Sequence, residues 1–144
     1  MSLKSFTTIA TKKSGKMEGI AYVKRPLAIK LWNTWRFKLR KTHQMNIEVG
    51  VERISNNHQF VINLKSGMAW DSEMPGEWPY LSLLPRQNDV VQVIVSEGVM
   101  SITVNAEDQG VVFQHPDLYE PNVYAFIRMK DKGDEAGVMQ GSTL

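Results

Sequence analysis

The sequence predicts an all-β fold, a two-sheet antiparallel sandwich, on three observations. From Ile20 onward apolar residues recur with a period of two, and no stretch carries a convincing 3.6-residue pattern. Turn-forming clusters break the chain at regular intervals: Ser55-Asn56-Asn57, Ser66-Gly67, Glu97-Gly98 and Asn105-Ala106-Glu107-Asp108. Residues 90–95 and 99–104 are apolar enough to be buried on both faces, and Ser96-Glu97-Gly98 between them suits a tight hairpin. Many short strands without helices favour a sandwich over a parallel α/β sheet.

The elements follow in order. Residues 1–19, rich in Lys, Ser, Thr and Gly, read as a basic, weakly ordered arm whose Phe6 and Ile9 are free to dock on the core. The sandwich domain is expected over residues 20–130. Its first strong strand sets Leu31, Asn33, Trp35, Phe37 and Leu39 on one face and Trp32, Thr34, Arg36, Lys38 and Arg40 on the other. Further strands are expected at residues 45–53, 59–64, 90–95, 99–105, 110–113 and 123–128. Residues 131–144 read as a polar, Gly-containing C-terminal tail.

A chain of 144 residues, 42% hydrophobic and 22% charged, is sized for one domain and is not a disordered composition. With no cysteine, disulfides, Cys-ligated zinc, iron–sulfur clusters and thiol catalysis are excluded. No apolar run approaches a membrane span, no signal peptide is readable at the N-terminus, and no Asn-x-Ser/Thr sequon occurs. An intracellular, cytoplasmic location is the expectation. The net charge of +2 hides an asymmetry: residues 1–41 carry eleven Lys or Arg against Glu18 alone, which leaves the rest of the chain at −8.

Catalytic signals are weak. Asp71, Glu73 and Glu77 suggest the carboxylate pair of a glycosidase, but Pro75-Gly76 breaks the strand spacing such a pair needs. His43, His58 and His115 lack metal-ligand spacing and read as surface or turn histidines. Lys12-Lys13-Ser14-Gly15-Lys16 lacks the spacing of a phosphate loop. The expectation is a protein that is not an enzyme, with no cofactor and no metal.

Several motifs in fixed order resemble the SPRY domain, the core of the B30.2 module. They are Glu48-Val49-Gly50-Val51, Ala69-Trp70-Asp71, Asn88-Asp89-Val90-Val91-Gln92-Val93, the stretch from Met100 to Phe113, Leu118-Tyr119-Glu120-Pro121, and Val123-Tyr124-Ala125-Phe126-Ile127. The sequence departs from the family pattern at Asn88 and Ala106, where the family carries glycine. The resemblance implies a concanavalin-like sandwich that binds a protein or peptide through loops at one rim.

The candidate partner-binding residues are Trp78, Tyr80 and Arg86, followed by Trp70, Asp71 and Tyr119, because aromatic and arginine side chains dominate binding hot spots. At least one of Trp70 and Trp78 is expected to be a core plug. One alternative is nucleic acid or an anionic surface bound by the basic face of residues 24–41, through Arg36, Lys38, Arg40 and Lys41, with Trp32 stacking on a base. A second is a lectin-like carbohydrate site, although the galectin sugar motif is absent.

Overall fold

The computed structural model describes residues 6–11, 19–22, 33–41, 46–119, 123–129 and 135–139. Their strands are β1 (Phe6–Thr11), β2 (Gly19–Tyr22), β3 (Asn33–Lys41), β4 (Ile47–Arg53), β5 (His58–Asn63), β6 (Met68–Asp71), β7 (Trp78–Pro79), β8 (Val90–Ser96), β9 (Val99–Val104), β10 (Glu107–Gln114), β11 (Val123–Met129) and β12 (Glu135–Met139). One sheet runs β1-β12-β3-β8-β9-β10 and the other β2-β11-β4-β5-β6-β7, with every pairing antiparallel. The described residues contain no α-helix, only two short 3-10 segments at Ile54–Asn56 and Pro116–Tyr119. The expected two-sheet sandwich is the observed fold.

Period-two patterning builds the core. Trp35, Phe37 and Leu39 of β3 point inward with Val91, Val93 and Val95 of β8 and Met100 and Ile102 of β9. They meet Ile47, Val49 and Val51 of β4, Phe60 and Ile62 of β5, and Ala125, Ile127 and Met129 of β11. Burying each of the larger side chains stabilises the fold by about 1.5–3 kcal/mol. The expectation that β8 and β9 are buried on both faces needs correction. Val90, Gln92 and Ile94 are only half-buried, because the second sheet packs against one side of β8 and only neighbours in the same sheet flank the other.

Two hairpins close on two-residue turns. Glu97-Gly98 joins β8 to β9 with φ of 49° and 79°, and Asn105-Ala106 joins β9 to β10 with φ of 51° and 69°. Positive φ at both turn residues matches the twist of the flanking strands. Asn88, at φ 75°, and Ala106 therefore occupy left-handed positions at the two sites where the sequence departs from glycine.

The stretches read as arm and tail each contribute a strand, β1 and β12. Ala136 is fully buried opposite Leu39 and joins the core, and the backbone of Val138 stands opposite that of Phe37.

Candidate functional site

One edge strand of each sheet, β7 in one and β10 in the other, lies on the same side of the sandwich. The Trp78 ring meets Phe113 of β10 edge-on, with centroids 5.4 Å apart and planes at 73°. Two residues on, the Tyr80 hydroxyl donates to the carbonyl of Gly110 and accepts the N–H of Ile102 at 3.4 Å. Burial pushes the Tyr80 phenol up to about 12, overriding the Ile102 hydrogen bond, and Asp108 adds to the rise.

From Tyr80 the chain runs along the edge and forms a groove of about 840 Å³ with the β9–β10 turn. Leu83, Leu84, Val104 and Ala106 supply its apolar lining, and Arg86 and Glu107 its free charges. The walls are fixed by backbone. The N–H groups of Tyr80 and Leu81 both donate to Gly67, at 2.9 and 3.0 Å. Asp89 accepts the Arg86 N–H at 2.7 Å and the Asn105 side-chain amide at 3.0 Å, and the Asn105 side-chain oxygen accepts the Val90 N–H at 2.9 Å. On this frame Leu83 is 76% exposed and Leu84 46%. Exposed leucines on a pinned segment are a stronger binding signal than scattered surface apolar residues.

A second cluster stands nearby. His58, fully buried at the start of β5, places Nε2 2.6 Å from Asp71 Oδ1 and Nδ1 2.7 Å from Asp117 Oδ2, with Glu73 Oε1 at 3.4 Å. Burial works to lower the imidazole's affinity for a proton, but Asp117, Asp71 and Glu73 override it and raise the His58 pKa. His58 in turn lowers that of Asp117, helped by Asn56, Arg53 and His115. In its protonated form the ring donates from both nitrogens, and the two contacts tie the loop after β6 and the 3-10 segment Pro116–Tyr119 to β5. His58, His115 and Asp117 place possible ligand atoms within 4.8 Å of one another. Both His58 nitrogens are already bonded to carboxylates and His115 Nδ1 accepts the Asp117 N–H at 3.0 Å, so the cluster is complete as an ion-pair network.

The six partner-binding candidates divide accordingly. Arg86 lines the groove, and Trp78, 38% exposed, stands on the same edge. Tyr80 is a clamp between the sheets, and Asp71 is committed to His58 and to the Glu73 N–H at 2.9 Å. Trp70 lies half-buried on the outer face of its sheet beneath the Arg128 guanidinium, 5.7 Å from the ring centroid. Arg128 there donates to Glu48 at 2.7 Å and to Gln59 at 3.1 Å. Tyr119, 52% exposed, covers Gly98 on the far side of the His115 turn and belongs to a separate recess.

Two expectations are overturned. Neither Trp70 nor Trp78 is a core plug: alternation along β6 turns Ala69 and Asp71 inward and Trp70 outward, and Trp78 occupies an edge strand. Among the described tryptophans, Trp35 is the buried one. His58 is not a surface histidine but the most enclosed ionisable group of the cluster, because its two partners arrive from 13 and 59 residues away. His43 lies outside the described residues. Leu83, Leu84 and Glu107 were not singled out by sequence; the apolar pair inside Ser82-Leu83-Leu84-Pro85 was the available signal.

On β3, Arg36 and Lys38 are half-buried and Arg40 is exposed, alternating with the inward Trp35, Phe37 and Leu39 as expected. The backbone of Lys41 ends that strand, while Trp32 and the basic residues of positions 1–5, 12–18 and 23–30 lie outside the described residues. No described helix is long and apolar enough to cross a membrane.

No protein-family model matches the sequence, and no curated protein matches it. Solved structures do. The SPRY domain of human HERC1 superposes with a TM-score of 0.73 at 16% identity, covering 92% of this chain and 88% of that one. A second human SPRY domain gives 0.69 at 15% identity, covering 88% and 87%. Alginate lyase AlyC3 is more distant, at 0.54 and 10% identity, covering 94% and 73%. The chain is a β-sandwich of the concanavalin-like class. Within that class its fold is SPRY-like.

Proposed function

We propose that the protein is a non-catalytic recognition module that binds a segment of a protein partner along the β7–β10 edge. Leu83, Leu84 and Arg86 receive the segment, and Trp78 extends the surface. The observation that carries this reading is the pair of exposed leucines, held out on a backbone pinned at Gly67 and Asp89 beside a preformed groove. A rigid site loses little entropy on binding, so its apolar contacts are converted to affinity efficiently. The likeness to SPRY domains adds support at the level of fold, and the likeness to an alginate lyase reaches no further than fold.

The test is selection of a random peptide display library on the immobilised protein, repeated on Leu83→Asp and Trp78→Ala. Loss of a central apolar anchor typically costs about 2 kcal/mol, roughly thirtyfold in affinity. Peptides that bind the wild type and lose about that factor on Leu83→Asp support the reading. Selected peptides that bind both variants within threefold would sink it.

A second reading, an anionic ligand on the outer face of β3, rests on the outward alternation of Arg36, Lys38 and Arg40. It predicts binding that collapses with added salt and with charge reversal at Lys38, and that ignores Leu83→Asp.

A further inference from the structure

We infer that the groove's occupant is a short peptide segment with a bulky apolar side chain flanked by one acidic and one basic residue. This rests on the recognition reading above and names the partner's chemistry. At about 840 Å³ the open groove has room for a few peptide residues. Its apolar lining, Leu83, Leu84, Val104 and Ala106, asks for a bulky apolar side chain.

The charges specify the rest. Three ionisable side chains line the groove, and the Asp89 carboxylate is fixed in its wall, one oxygen taking the Arg86 N–H and the other the Asn105 amide. The Arg86 guanidinium and the Glu107 carboxylate have no partner among the described side chains, and they do not bridge to each other although both line the same cavity. An entering ligand dehydrates both, and each then needs an opposite charge. The guanidinium fork suits a carboxylate and Glu107 suits a lysine or arginine. A segment with two acids meets Glu107 with like charge, and one with two bases meets Arg86, so the groove discriminates by repulsion as well as attraction.

The experiment uses four synthetic peptide pools with a central Leu or Phe, flanked by acid and base, two acids, two bases, or two uncharged polar residues. Each is titrated against the wild type, Arg86→Glu, Glu107→Lys and Leu83→Asp. Arg86 and Glu107 are exposed, so the charge variants keep the fold. The wild type is expected to prefer the acid–base pool by about tenfold over either like-charged pool. Arg86→Glu should turn that preference to the two-base pool, and Glu107→Lys to the two-acid pool. Binding that depends on Leu83 but is equal across the pools, or preferences unchanged in the charge variants, overturns the inference and leaves the recognition reading standing. Binding indifferent to Leu83→Asp in every pool, or no binding at all, overturns both.

Discussion

His58 Nδ1 and Asp117 Oδ2 stand 2.7 Å apart across 59 residues of sequence, and the contact fastens the Pro116–Tyr119 segment to β5. Asp71 holds the opposite ring nitrogen at 2.6 Å, so one buried imidazole links three segments that share no local motif.

That link carries a pH signature. The His58 pKa is raised from its ordinary 6.5, so its contribution to stability is complete below that value and is lost as pH rises through the higher native one. The Asp117 pKa is lowered from its ordinary 3.8, so its contribution is complete above that value and is lost as pH falls through the lower native one. The bridge is fully formed between the two. The melting temperatures of wild type and His58→Gln should differ most near about pH 5, and the gap should narrow as pH rises past the raised native value. A gap that stays constant over that range would show that His58 is not charged in the native state.

The β9–β10 turn holds Ala106 at φ 69°, a conformation that costs an L-residue roughly 1 kcal/mol and glycine almost nothing. Ala106→Gly should therefore stabilise the protein by up to about 1 kcal/mol in urea unfolding, despite the added freedom of the unfolded chain. A destabilised variant would mean that the Ala106 methyl contributes more to the groove wall than its backbone costs.

Tyr80→Phe removes a half-buried hydroxyl that serves two backbone groups on two strands. The carbonyl of Gly110 and the N–H of Ile102 lose that partner, for a destabilisation of about 1–2 kcal/mol. Amide exchange at Ile102 should quicken in the same variant. Unchanged exchange would assign the stability loss to packing alone.

Gly50 of β4 runs against the backbone of β5. A Cβ there would come closer to the Phe60 carbonyl oxygen than real Cβ atoms approach, and the obstacle is backbone that cannot rotate away. Gly50→Ala should cost about 3 kcal/mol, with Gly76→Ala as the comparison, since space beside Gly76 is open and only its φ of 86° opposes a side chain. Equal unfolding midpoints for Gly50→Ala and the wild type would refute the contact.

Much of the sandwich was legible in the sequence because strands repeat every two residues. The alternation around Trp35, Phe37 and Leu39 and the turns at Glu97-Gly98 and Asn105-Ala106 carry the sheet order locally. β7 escaped because it is two residues long and contains proline, which leaves no period to read. The His58 cluster escaped for a different reason: its partners are set by tertiary folding, and an isolated histidine in sequence carries no sign of them. Arg86 and Trp78 were recognisable by residue type, whereas Leu83 and Leu84 look like ordinary core residues until the fold leaves them outside.

The position of β12 between β1 and β3 has a kinetic consequence. Phe6 pairs with Met139, and β1 reaches its sheet through β12 alone. β1 therefore waits for a segment far from it in sequence, and until β12 docks the Phe37–Leu39 stretch of β3 presents an unpaired edge to any other chain nearby. Closure of the sheet is a long-range event with a high entropic cost, which places it late and makes the species just before it the one most exposed to aggregation.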